Sequence, residues 1–133
     1  ELKSAAKSGE SGAPCARRKN SARGGLSIVG ESIFAGSLAC AVEAEYGKPV
    51  RVLCPLETEE ALMAEGDARI PDEDDAAEQF AKAGGVIADP LYRPVCPDGV
   101  PFYSLPHEAF SGRCYRKSIP VLINKNLKPG GMI

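Results

Sequence analysis

Short apolar runs, each closed by Gly or Pro and separated by stretches of helical spacing, constrain this chain more than any other feature. Leu26-Ser-Ile-Val29 stops at Gly30, Val50-Arg-Val-Leu-Cys54 at Pro55, and Val86-Ile-Ala88 at Asp89-Pro90. Pro101-Phe-Tyr103 is a shorter run that leads into a Pro-, Ser- and Gly-rich stretch. Runs of this length bounded by turn residues read as strands, and near-continuous apolarity marks burial on both faces. Between the first two, Phe34, Leu38 and Val42 recur at every fourth position, which is one face of a helix from Ile33 to Tyr46. Ser32 is placed to cap that helix through its hydroxyl. Gly47 ends it, and Pro49 prevents its resumption. Thr58–Glu65 reads as a short helix closed by Gly66, while Asp67–Pro71 breaks the pattern. Asp74–Ala83 reads as a helix with Ala77, Phe80 and Ala81 inward, closed by Gly84-Gly85. Ile119–Ile123 reads as a terminal helical turn or strand.

Strands alternating with helices at this spacing form βαβ units, whose strands are parallel. The expected fold is α/β: a three-layer, Rossmann-like open sheet, mainly parallel, of about four strands. At 133 residues there is room for one such domain and no second full core. Residues 1–24 read as a linker or N-terminal arm, rich in Gly and Ser and carrying Arg17-Arg18-Lys19, and residues 25–133 as the domain. The opening Glu1-Leu-Lys-Ser has no initiator Met and no basic-then-apolar leader, so we read the chain as starting within a longer protein.

Composition excludes several classes. Hydrophobic residues are 44% and the net charge is −2, values of a globular chain and not of a disordered one or a general nucleic-acid binder. No apolar run approaches the ~20 residues of a membrane helix. The small net charge conceals blocks: six basic against two acidic residues in 1–25, and ten acidic against two basic in 57–83. The run Asp72-Glu73-Asp74-Asp75 reads as a solvated helix start, where carboxylates oppose the macrodipole favourably. The five cysteines, Cys15, Cys40, Cys54, Cys96 and Cys114, are odd in number, widely spaced and without a C-x-x-C pair. They read as reduced thiols of a cytoplasmic protein. Cys40 and Cys54 fit a core, and Cys96 and Cys114 lie in loop-like sequence.

Parallel sheets place ligands at the carboxyl ends of their strands. Gly30-Glu31-Ser32, Pro55-Leu56-Glu57 and Asp89-Pro90-Leu91-Tyr92 fall there, and the loop around His107 is expected to join them. The first of these turns lacks the second glycine of a dinucleotide fingerprint, and Glu31 would repel a phosphate. It reads as a helix-terminal charge or a polar ligand contact. His107, the only histidine, is flanked by Pro106 and Gly112 and so sits on a loop. There it can ligate a metal or act as acid or base, with Glu108 and Cys114 as neighbours.

Asp89-Pro-Leu-Tyr92, Leu105-Pro-His-Glu-Ala-Phe-Ser-Gly-Arg113 and Ile28-Val-Gly-Glu-Ser32 together resemble the last domain of nitrogenase component 1 chains and their relatives. Those relatives include the molybdenum–iron protein subunits, cofactor-assembly scaffolds and dark-operative protochlorophyllide reductase subunits. The resemblance covers roughly residues 24–123. It implies an oxidoreductase built from several Rossmann-like domains and located in the cytoplasm. It also implies an iron–sulfur or iron–molybdenum-type cluster in the full-length protein, a paired component 1-like subunit, and a separate iron-protein-type reductase. In the nitrogenase α subunit a histidine before an aromatic-Ser-Gly motif ligates the molybdenum. His107, followed by Phe110-Ser111-Gly112, is the matching position, at a spacing one residue shorter. The resemblance thus points to His107, Ser111, Gly112, Glu31 and Ser32 as cofactor-binding residues. His107 is the candidate metal ligand, with Cys114 a secondary one.

The cysteines that hold the family's bridging cluster lie in a different domain, and none of the five here matches their motifs. One thiolate and one imidazole do not enclose a cluster, so neither a bound cluster nor catalysis is expected of this chain by itself. No nucleic-acid or membrane partner is expected. Two other functions fit the residues: a non-catalytic scaffold holding a cofactor during assembly, and a small-molecule-binding α/β domain.

Overall fold

The computed structural model describes residues 24–107, 109–115, 117 and 119–123. Among the described residues five strands are present in place of about four: β1 (Leu26–Val29), β2 (Val50–Cys54), β3 (Ala68–Arg69), β4 (Gly85–Ala88) and β5 (Phe102–Ser104). They form one sheet in the order β3-β2-β1-β4-β5, and every pairing is parallel. Ile28 of β1 sits opposite Val52 on one side and Ile87 on the other. This is the α/β open sheet expected from the alternation of runs.

The additional strand lies in the segment read as a break. Val52 donates its N–H to the Asp67 carboxylate at 2.9 Å, and Arg51 bonds the Gly66 carbonyl at 2.8 Å. Side chains thus do the work of ladder bonds beside β2, and only Ala68 and Arg69 pair as a strand. Two residues are too few to carry a periodicity.

The helices are α1 (Ser32–Tyr46), α2 (Glu73–Ala81) and α3 (Gly112–Tyr115), with 3₁₀ turns at Glu60–Leu62 and Pro90–Val95. Helix α1 packs Ala35, Leu38, Ala39 and Val42 against Ile28, Val52 and Ile87 on one face of the sheet. Gly47 closes it with φ at 69°, donating its N–H to the Glu43 carbonyl, a left-handed geometry that costs glycine little. The buried Glu43 carboxylate also accepts the Val50 N–H at 2.8 Å, tying the last turn of α1 to the start of β2. On the opposite face, Ala76 and Phe80 of α2 pack on Val29, Leu53, Ile70, Val86 and Ala88. Successive residues of β1 therefore serve different cores, Ile28 the α1 layer and Val29 the α2 layer.

Several expectations are corrected. Thr58–Glu65 is no helix; only Glu60–Leu62 turns, with no buried residue and with Leu62 exposed. A short segment with nothing to bury has no source of helical stability. In α2 the inward residues are Ala76 and Phe80, while Ala77 is half-buried and Ala81 exposed. Phe80 is the anchor, and its neighbour one turn back is residue 76. Residues 119–123 form neither helix nor strand. Cys54 is buried as expected, but Cys40 is only half-buried. The acidic run behaves as expected: Asp72 caps α2 by accepting the Asp75 N–H, and Glu73, Asp74 and Asp75 fill the first turn. The arm assigned to residues 1–24, Gly24 excepted, lies outside the described residues, as does Cys15. Among the described residues no helix is long and apolar enough to cross a membrane.

Candidate functional site

The strand order reverses beside β1: β2 lies on one side and β4 on the other, and the connections leave toward opposite faces. The carboxyl ends of β1 and β4 flank the crevice where doubly wound sheets bind ligands. Glu31 follows β1 there, and Asp89 follows β4.

Glu31, and not Ser32, is the N-cap of α1. Its extended backbone, φ −60° and ψ 142°, lets the carboxylate turn back over the helix start. Oε1 accepts from the Ile33 N–H at 2.8 Å, and Oε2 from the Phe34 N–H at 3.0 Å. Ser32, the first helical residue, donates its hydroxyl to Glu31 at 3.1 Å and accepts from Thr58 at 2.7 Å. The bond from Ile33 is the largest of several influences that hold Glu31 below its ordinary value of 4.5; partial burial opposes it, and the bonds from Phe34 and Ser32 and the charge of His107 assist. The amides a phosphate would use are therefore occupied by a side chain of the chain itself.

Asp89 organises the other wall. It is 2% exposed, and its two oxygens accept four donors. Oδ1 takes the Leu91 N–H at 3.0 Å, capping the 3₁₀ turn that begins with Pro90. Oδ2 takes the His107 N–H at 2.9 Å, the Ser111 N–H at 3.3 Å and the Ser111 hydroxyl at 2.6 Å. A buried carboxylate is stable only when paired or fully hydrogen-bonded, and four donors meet that need. Asp89 thereby joins residues 89–92 to residues 107–111, two stretches separated in sequence by β5.

The loop places the His107 ring edge-on to Phe34, with centroids 4.6 Å apart, and tilted against Phe110 at 5.7 Å. Phe110 meets Tyr92, and Tyr92 meets Phe80 of α2, each at 6.1 Å. An aromatic chain thus runs from the crevice into the second core. Burial, with the charges of Asp89, Cys54 and Glu73, pushes the Tyr92 hydroxyl above its ordinary range. His107 Nδ1 accepts the N–H of Ala109 at 3.1 Å.

The residues singled out in the sequence thus play unequal parts. Glu31, Ser32 and His107 lie at the carboxyl edge: Ser32 bonds Glu31, Glu31 bonds the Phe34 N–H, and the Phe34 ring meets His107. Ser111 is buried, with its hydroxyl committed to Asp89. Gly112 is buried at the start of α3. Cys114 is exposed on α3, where its N–H donates to the Ser111 carbonyl. Cys96 is half-buried and bonds the Val100 carbonyl; burial pushes its thiol up, away from thiolate chemistry. Sequence reasoning placed Asp89 at the ligand edge and within the resemblance but gave its side chain no role, and it took Thr58 only as the start of a short helix. An Asp immediately before Pro at a strand end is the signal that was available, since that pair favours a side-chain-capped turn.

Among the described residues no three His, Cys, Asp or Glu side chains gather as a metal-ligand set. His107 provides one imidazole, and its Nδ1 is engaged by the loop. The donors among the described residues do not fit a whole metallocluster; further ligands would be needed to hold one. Comparison with protein-family models, curated proteins and solved structures gave no match.

Proposed function

We propose that this chain is a domain of a nitrogenase component 1-like oxidoreductase. Its carboxyl edge forms part of a metallocluster or substrate cavity, and the domain packs on sister domains and a paired subunit. Electrons come from a separate iron-protein-type reductase. One observation carries this reading: the two stretches behind the resemblance, residues 89–92 and 105–113, are joined by the Asp89 carboxylate at the crevice of the sheet. That crevice is where open α/β sheets bind their ligands.

A cluster bound beside this edge would supply electron storage and transfer. The chain's own residues line and shape the wall. Phe34 and Phe110 present apolar surface and flank His107. Glu31 closes the helix start to phosphate. Ile33, Leu56 and Leu91, exposed at 64%, 42% and 60%, give the same edge apolar area for a neighbouring domain to cover.

Metal analysis of the protein purified under exclusion of oxygen, together with the chains that accompany it, tests the proposal. Iron and a companion component 1-like subunit are expected. Iron near zero removes the oxidoreductase reading and leaves a small-molecule-binding α/β domain.

A further inference from the structure

The two nitrogens of His107 are not equivalent. Nδ1 accepts the Ala109 N–H, so the proton of the neutral ring belongs on Nε2; the tautomer is assigned from that hydrogen bond. The ring cannot readily turn to exchange them. The His107 N–H is fixed to Asp89 at 2.9 Å, Phe34 meets one side of the ring, and Phe110 another. Nε2 forms no hydrogen bond to the described residues.

We infer that His107 works through Nε2–H as a hydrogen-bond donor to an uncharged carbonyl oxygen of a ligand at this edge, and not as a resident metal ligand. The inference rests on the reading of the edge as a cofactor or substrate wall. A metal needs the lone pair of an unprotonated ring nitrogen. Binding at Nδ1 would displace the Ala109 N–H. Binding at Nε2 would move the ring proton to Nδ1, where two N–H groups would then face each other. Either event sacrifices the Ala109 hydrogen bond that orients the ring. The charge of the ligand follows from Glu31, whose carboxylate sits on the amides at the start of α1, with Oε2 on the N–H of the same Phe34 whose ring meets His107, and there opposes an anion. An amide, ketone or ester oxygen accepts a hydrogen bond without that penalty. Its apolar remainder meets Phe34 and the exposed Ile33 and Leu91.

The chain has a single histidine, so ¹⁵N-histidine labelling reports one imidazole. The expected spectrum has a pyridine-type Nδ1 and a pyrrole-type Nε2. N-methylacetamide should shift Nε2 and leave Nδ1 in place, acetate should bind more weakly, and equimolar Zn²⁺ should change neither signal. The reverse tautomer, no response to N-methylacetamide, or loss of the pyrrole-type Nε2 signal on adding Zn²⁺ overturns the inference. Acetate binding as tightly as N-methylacetamide overturns the choice of an uncharged oxygen. His107→Gln keeps an N–H near the position of Nε2 and should retain most of the N-methylacetamide affinity. His107→Phe keeps a ring without the donor and should lower the affinity about tenfold. Equal loss in both variants also overturns the donor role. Failure here is separable from failure of the proposed function. Iron that co-purifies while Zn²⁺ binds Nε2 removes the donor role alone, and the expected tautomer without iron removes the oxidoreductase alone.

Discussion

Asp89 shows how one side chain can decide a local structure. Its carboxylate replaces the backbone partners that Leu91, His107 and Ser111 would otherwise lack at the end of β4. Asp89→Asn substitutes an NH₂ for one of the accepting oxygens and turns an attraction into a clash of donors. A loss of about 2–3 kcal/mol is expected in urea denaturation, because hydrogen bonds to a charged group are worth more than neutral ones. Amide exchange at His107 and Ser111 should quicken in the same variant, and a loop with unchanged exchange would contradict this role. Glu31 offers a pH-dependent case. Its pKa is lowered by folding, chiefly through the Ile33 N–H, so its contribution is present above the unfolded value of 4.5. That contribution disappears as pH falls through the folded value. Glu31→Gln should therefore flatten the acid limb of stability, measured as the urea midpoint between roughly pH 5 and pH 3.

At the scale of elements, the strands depend on close approach at their starts. Gly84 donates its N–H to the Gly25 carbonyl at 2.9 Å, and Gly24 donates to the Lys82 carbonyl at 3.2 Å. A Cβ at residue 84 would collide with the Gly24 carbonyl oxygen, which is backbone and cannot swing aside. Gly84→Ala should lower stability and loosen the pairing of β1 with β4, seen as faster exchange of the Ile28 and Ile87 amides, while leaving the far edge at β3 protected. The helices teach a related point. The period of Phe34, Leu38 and Val42 was legible because α1 runs four turns along one core. The face of α2 was misread by one residue, since alanines flank Phe80 on several sides and only packing selects Ala76. The cap of α1 was misread too: Ser32 has the preferred chemistry, yet Glu31 sits one residue earlier and its longer side chain reaches the Ile33 and Phe34 amides.

The described residues build two apolar cores separated by one sheet, with α1 over one and α2 over the other. Because neighbouring residues of each central strand serve opposite cores, neither layer can dissolve without exposing the other. Leu38→Ala and Phe80→Ala, one in each layer, should each cost about 2–5 kcal/mol, and both should shift a single transition. Circular dichroism and tyrosine fluorescence followed through urea would report it, and separate midpoints for the two probes would refute the coupling. Charge is organised at the same scale. The acidic surplus of residues 57–83 spans the β2–β3 connection and α2.

The apolar runs and their Gly and Pro boundaries by themselves determined four of the five strands, the parallel α/β class, both longer helices and the edge at which a site would lie. These are local properties: a buried strand must be apolar, and a helix must repeat its face. Three things were decided only by tertiary structure. Strand β3 exists because Asp67 and Arg51 complete its bonding to β2. The convergence of Asp89 with His107 and Ser111 needs β5 to bring the later loop back beside the end of β4. The orientation of the His107 ring was set by Asp89, Ala109, Phe34 and Phe110 together. A sequence shows that a residue can donate or accept, but the partner and the ring nitrogen that remains for a ligand follow only from how the chain closes around it.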